Sequence, residues 1–311
     1  MSTRNVSSLQ GKNMAGNVFA GFLSGIMTLI GGISYAALIF SGILSGYLEI
    51  GIGSALISAT IIGGLMAWRS SSPIVIAGPD ANISAILALL TASILSNLAA
   101  DAPRETVFST VWAVIAASTL ACGFFLYMVG RFRLGRWIRF IPYPVVGGFL
   151  AGTGWLLIRG AFKVMSGVPL TLSDIPALLQ KDVFHHWLPG VLFALLLLAA
   201  VSRWKSFLVM PSLVIAAIAA THGILFTSGI PVAEAAREGW LLSPLPSNLF
   251  FHTFQSLDPG RIDIAFSFRD SGNVIALLLI AAIVILLNSA SVEISTGKEM
   301  NLDRELKMTG L

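Results

Sequence analysis

The sequence predicts an all-α polytopic membrane protein, and three observations carry that reading. Of the 311 residues, 56% are hydrophobic and 11% are charged, where a soluble domain carries about 25% charge. The mean hydropathy is +0.85. Nearly all the charged residues fall between apolar runs, most of them long enough to cross a bilayer as helices. The 30 glycines suit closely packed membrane helices. The single cysteine, Cys122, excludes an internal disulfide and reads as a packed thiol. A net charge of +4 does not argue for nucleic acid, because the basic residues cluster at the edges of the apolar runs. The four histidines have no metal-ligand spacing, and no nucleotide, metalloprotease or redox motif occurs. Neither an enzyme nor a cofactor is expected. The polar residues 1–17 run into a helix too long and continuous for a cleavable signal peptide.

After this polar tail, eight membrane segments are expected at 18–40, 47–68, 73–97, 106–129, 144–164, 188–201, 207–226 and 273–291. In the first, TLIGGISYAALI, Gly31 and Gly32 admit the close approach of another backbone. Tyr35, one turn on, either turns its hydroxyl to a central cavity or packs against a neighbouring helix. The sixth is short for a span and draws on its flanks. The stretch 227–272 holds Pro231, Pro244, Pro246 and Pro259, and Trp240, Phe250, Phe251 and Phe254 lay it against the membrane surface. SNLFFHTFQSL within it is a candidate interfacial helix. That stretch is either a join between two structural halves or an ordinary loop. In the eighth segment Asn288, Ser289 and Ser291 form a polar strip, with Glu293 and Lys298 near its mouth, and a polar, helix-competent stretch follows.

Charge sets the orientation. With the N-terminus in the cytoplasm, twelve of the 19 basic residues lie on the cytoplasmic side, led by Arg131, Arg133, Arg136 and Arg139 in RFRLGRWIRF. Arg104, Arg159, Lys163 and most acids then lie outside. The alternation holds only if the third segment crosses fully. The protein is thus expected to be a multi-pass protein of the cell membrane.

The third segment carries the functional signal. An extended run, Ile74-Val75-Ile76, breaks at Gly78-Pro79, and an apolar helix resumes near Asp80. Irregular backbone at membrane depth is tolerated only where protein or a watery cavity surrounds it. The free N–H groups and positive dipole end of such a half-helix can seat an anion. The expected seat is Ala77, Gly78, Pro79, Asp80, Ala81 and Asn82, facing Gly31 and Tyr35. Asp80 is a helix cap, a proton- or cation-coupling carboxylate, or an incidental charge. As a cap it takes up donors that an anion would use.

Four blocks resemble the sulfate permease family of inorganic anion transporters: AGFLSGIMTLIGGISYAALIFSG at 20–42, IAGPDANISAIL at 76–87, IPYPVVGGFLAGTGWLLIRGAFKVMSG at 141–167 and STGKEMNLDRELKMTGL at 295–311. They fall in family order over nearly the whole chain. The resemblance implies two inverted repeats of seven segments, with the anion held between the half-helices of the third and tenth. It also implies alternating access, a core of segments one to four and eight, and a gate of five to seven. Residues 18–226 would be the first repeat, 227–272 the linker, and 273–311 the eighth segment and a cytoplasmic tail. Ile30-Gly31 stands where the family often has Pro-Gln, and Val284 where it often has a glutamate. The tenth segment is absent from these 311 residues. A fragment, or one chain of a split transporter, is therefore expected, inactive alone or completed by a homodimer or a second chain. A STAS domain beyond residue 311 stays open. The expected function is secondary active transport of a sulfate-like or bicarbonate-like anion, with a proton or sodium ion as co-substrate and lipid as surroundings. The alternatives are a non-transporting membrane assembly or regulatory protein on this scaffold, and a transporter of an uncharged, nucleobase-like solute.

Overall fold

The architecture, taken from a computed structural model, is described for residues 14–69, 78–97, 103–135, 143–206, 208–242, 271–296 and 301–310. Among these every regular element is helical. In chain order they are α1 (Met14–Ile39), a 3₁₀ turn (Gly42–Tyr47), α2 (Leu48–Arg69), α3 (Ala81–Asn97), α4 (Arg104–Arg131), α5 (Tyr143–Ser166), the short α6 (Ile175–Leu178), α7 (Lys181–Arg203), α8 (Val209–Ser228), the short α9 (Val232–Arg237), α10 (Ser271–Thr296) and α11 (Leu302–Thr309). Seven helical stretches among the described residues are long and apolar enough to cross a membrane. The remaining expected segment, the third, is represented by α3, which has 17 residues. At about 1.5 Å per residue it falls short of a hydrocarbon core of about 30 Å. The extended run at 74–76, Ala77, Arg136, Arg139 and the expected interfacial helix at 247–257 lie outside the described residues.

Two segments reach beyond their apolar runs. The second segment is preceded by a 3₁₀ turn that opens at Gly42, whose φ of 72° suits glycine. The sixth draws on its flanks beyond 188–201, as expected: α7 has 23 residues from Lys181 to Arg203 and runs through Pro189. Lys181, Asp182, His185 and His186 lower the hydropathy of a helix whose backbone continues without them noticing the polarity change. Hydropathy marks where a helix leaves the apolar layer, not where it ends.

The chain divides into two compact units, Met1–Gly31 with His185–Pro244 and Gly32–Phe184 with Leu245–Leu311. This differs from the expected core and gate in two respects: α5 groups with α3 and α4, and the part of α1 up to Gly31 groups with the sixth and seventh segments.

In the larger unit α4 packs against α3, α10 and α11. Phe108 of α4 is 1% exposed and packs with Phe40, Leu90, Ile94 and Val111. The Tyr47 ring stacks on it with centroids 4.1 Å apart. A second cluster joins Leu126 and Val129 of α4 to Ala281, Ala282 and Leu286 of α10 and Leu306 of α11. The C-terminal helix can lie this close because glycines face it. A Cβ on Gly130 would stand 2.6 Å from the Asp303 carbonyl oxygen. One on Gly310 would collide with the Tyr127 backbone. Asn301 starts α11, its side-chain oxygen accepting from the Arg304 N–H at 3.0 Å. Asp303 then accepts from the Gly135 N–H at 3.1 Å, tying the helix to the basic turn after α4.

In the smaller unit α8 ends at Gly229, with φ at 69°, where the Ile230 N–H donates to the Leu225 carbonyl at 3.0 Å. His186, near the start of α7, bonds the Glu238 carbonyl through Nε2 at 3.0 Å, and its ring stacks on Trp240 at 4.9 Å. Leu195, Leu196 and Leu198 of α7 and Ile215 and Ile218 of α8 are exposed. Such faces are compatible with lipid, which offers them apolar surroundings.

Candidate functional site

Pro79 lacks the N–H that would carry a helix back toward Gly78, and the next residue is one of the best helix caps. The result is a sharp start. The Asp80 carboxylate accepts through Oδ1 from the N–H groups of Asn82, at 2.8 Å, and Ile83, at 3.2 Å. The Asp80 carbonyl accepts from the Ser84 N–H at 3.0 Å, the first helical bond. Asp80 is therefore a structural cap. Two of the donors expected to face an anion, those of Asn82 and Ile83, are already engaged, because the carboxylate lies nearer to them than any solute can.

What stays open is a smaller set. The Ala81 N–H has no hydrogen-bond partner among the described residues. The side chain of Asn82 accepts from the Thr153 hydroxyl of α5 at 2.8 Å, which leaves its amide nitrogen free among the described residues. Thr153 is buried, and its one proton is shared with the carbonyls of Phe149, at 3.2 Å, and Leu150, at 3.1 Å. Tyr35 is half-buried on α1, within electrostatic reach of the Asp80 carboxylate. Its hydroxyl bonds to none of the described residues. The start of α3 thus presents one backbone N–H, one side-chain amide and one phenol around a capping carboxylate.

Gly78 is exposed, and Pro79, Asp80, Ala81 and Asn82 are partly buried. Ala77 lies outside the described residues. Gly31 is partly buried on α1 and belongs to the smaller unit. Gly32 is buried, but no backbone crosses it closely. A Cβ there would meet Leu56 at 3.5 Å and the Pro79 ring at 3.7 Å, both ordinary contacts.

Thr153 was not singled out by sequence. Its signal was a lone hydroxyl in GFLAGTGWLL, which is indistinguishable from a small packing residue until its partner is known. The polar strip expected late in the eighth segment is not one surface. Ser289 is buried and its hydroxyl donates to the Ile285 carbonyl at 2.8 Å, whereas Asn288 is exposed. The side chain of Ser291 lies outside the described residues. Val284 is buried apolar packing on α10. No group of three or more potential metal ligands occurs among the described residues.

Residues 14–311 match the family model described as the sulfate permease family. A bicarbonate transporter, BicA, of Synechocystis sp. is 25% identical over 307 residues, covering 96% of this chain and 49% of that protein. BicA of Picosynechococcus sp. is 25% identical over 177 residues, covering 55% of this chain and 28% of its own. A vacuolar basic amino acid transporter of Saccharomyces cerevisiae is 26% identical over 234 residues, covering 71% of this chain and 22% of its own. The chain therefore spans at most about half the length of these curated relatives. No solved structure matches it. With its long apolar helices and a family match that runs from residue 14 to residue 311, the chain belongs to the sulfate permease family, whose members are transporters and not enzymes.

Proposed function

We propose that the chain carries out the membrane-transport step of a secondary anion transporter, moving a small inorganic anion, sulfate-like or bicarbonate-like, by alternating access. The observation that carries this is the start of α3. A helix begins at Ala81, next to a proline break, with a backbone N–H, the Asn82 amide and the Tyr35 hydroxyl left without described partners. Donors that lack partners in an apolar setting favour an anion. The substrate seat is then Gly78 to Asn82 with Tyr35. Residues 18–226 act as the first seven-segment repeat, 227–272 as the linker and 273–311 as the start of the second, with the N-terminus in the cytoplasm.

Asp80 shapes the coupling. A carboxylate beside an anion seat is repulsive unless a cation or proton accompanies the anion. Asp80 is accordingly the coupling residue as well as the cap, with a proton or sodium ion as the co-substrate. The same residue favours a second reading, an uncharged solute whose N–H groups donate to the carboxylate.

Uptake into liposomes of labelled sulfate, bicarbonate and a nucleobase, with and without pH and sodium gradients, separates the two. Anion uptake that is driven by a gradient in the wild type, and loses that gradient dependence in Asp80→Asn, is the expected result. Nucleobase uptake without anion uptake overturns the anion reading. No uptake of any of the three overturns transport by this chain.

A further inference from the structure

Beyond the start of α3, the larger unit holds a second polar feature. A cavity of about 260 Å³ opens between the end of α1, the middle of α3 and the last turns of α5. Its volume corresponds to roughly nine water molecules at about 30 Å³ each. Arg159, Lys163, Thr91 and Ser41 line it. The two basic residues stand four apart on α5, so they share a face, where like charges repel. Neither forms a side-chain hydrogen bond or ion pair with any described residue. No acidic residue lines the cavity.

Thr91 is the second, independent sign. It is 2% exposed, and its hydroxyl has no hydrogen-bond partner among the described residues. Helical threonines ordinarily spend that proton on the carbonyl four residues back, as Thr28, Thr60 and Thr119 do in this chain. The Arg159 Nε is likewise buried without a partner. A hydroxyl donor and a guanidinium donor, both buried and both idle, border one space with an ammonium. Buried donors without partners are costly, and a single small anion would satisfy all three.

We infer that this cavity is a second anion site, distinct from the start of α3, which takes a small inorganic oxyanion on Arg159, Lys163 and the Thr91 hydroxyl. Its place follows from the helices. Thr91 is nine residues beyond Asn82 on α3, which is about 14 Å at 1.5 Å per residue. Thr153, which holds Asn82, and Arg159 are six residues apart on α5. The site is a waiting station about two and a half turns from the proposed seat. The cluster concentrates anions before they reach the Asp80 carboxylate, which repels them.

The site is read by chemical modification and needs no flux, so a chain that transports nothing can still pass and a transporting chain can fail. The purified 311-residue chain is treated with cyanate, a small anionic reagent for lysine amines, with sulfate, bicarbonate or gluconate present at equal ionic strength. Mass spectrometry compares carbamylation of Lys163 with that of Lys205, an exposed lysine of the smaller unit. Sulfate or bicarbonate at about twice its dissociation constant slows Lys163 roughly threefold by mass action and leaves Lys205 unchanged. Gluconate protects neither. Arg159→Gln and Thr91→Val, each checked for folding by its thermal transition, abolish or right-shift the protection about tenfold, the loss expected for one bond to a charged group. An unchanged Lys163 to Lys205 ratio overturns the site. So does a Lys163 that cyanate never reaches, or protection that survives intact in both variants.

Discussion

The first turn of α3 and the stretch around Thr91 are parts of one helix, yet they treat polar groups in opposite ways. At the first turn the Asp80 carboxylate takes two backbone donors and Thr153 takes the Asn82 oxygen. Around Thr91 a hydroxyl and the neighbouring Arg159 and Lys163 have no partner among the described residues. The contrast separates groups that build the fold from groups that wait for a ligand. A cap residue satisfies its own helix and can be read as structure. A buried donor that ignores an available carbonyl one turn back costs stability that only an occupant returns.

Substituting Asp80 has the largest expected effect. Asp80→Ala removes both the cap and the carboxylate. It lowers stability by about 0.5–2 kcal/mol, seen as an earlier thermal transition in detergent, and it stops coupled uptake in liposomes. Asp80→Asn keeps the cap, because asparagine caps as well as aspartate. Stability then holds while gradient dependence is lost. Equal stability losses in both variants would mean that charge, not capping, holds the helix start.

Closing the cavity comes next. The Leu38 side chain already occupies the space that a Cβ on Gly160 would need. Gly160→Val therefore overpacks the wall and costs about 1–3 kcal/mol. It also shrinks the cavity, so sulfate protection of Lys163 from cyanate disappears. A variant with full stability and full protection would show that the wall gives way easily.

Thr153→Val acts on the satisfied end. It removes the bond to Asn82 and costs roughly 1 kcal/mol. Because Asn82 is freed to turn away, the concentration dependence of uptake shifts more than the maximal rate. A change in maximal rate alone would place Thr153 outside the binding step.

The smallest stability effect, and the sharpest contrast, is Thr91→Val. Valine keeps the shape and removes an unsatisfied hydroxyl, so the thermal transition stays level or rises, by up to about 1 kcal/mol of stability. Anion protection at Lys163 falls at the same time. Thr153→Val and Thr91→Val thus carry the same chemical change with opposite signs in stability. Destabilisation by both would show that Thr91 has a structural partner after all.

Sequence legibility followed the same line. The Pro79-Asp80 pair was readable as a helix start because capping is local: donor, acceptor and break lie within five residues. Whether the carboxylate would occupy the donors or leave them open was not readable, since both conformations share one sequence. Arg159 and Lys163 were visible as charges and were assigned to the outer side by counting. Their position inside the last turns of α5 was the stronger signal, because ionisable residues within a span mark function by default. Thr91 and Thr153 gave no such signal, being small hydroxyls among many. The polar tail at 295–311 was readable as helix-competent, but its seat on α4 against Gly123 and Gly130 depends on residues more than a hundred positions apart.

Composition and apolar periodicity alone determined that this chain is a bundle of membrane helices, where they run to within a few turns, and that a helix starts just after Gly78-Pro79. These are properties of short windows, set by transfer free energy and by the missing N–H of proline. Tertiary structure alone decided which hydroxyls are satisfied, that α5 packs with α3, and that Arg159, Lys163 and Thr91 border one cavity. The reason is physical: hydrogen bonding and ion pairing act over about 3 Å between residues far apart in sequence, so only the packed chain determines which donors find acceptors.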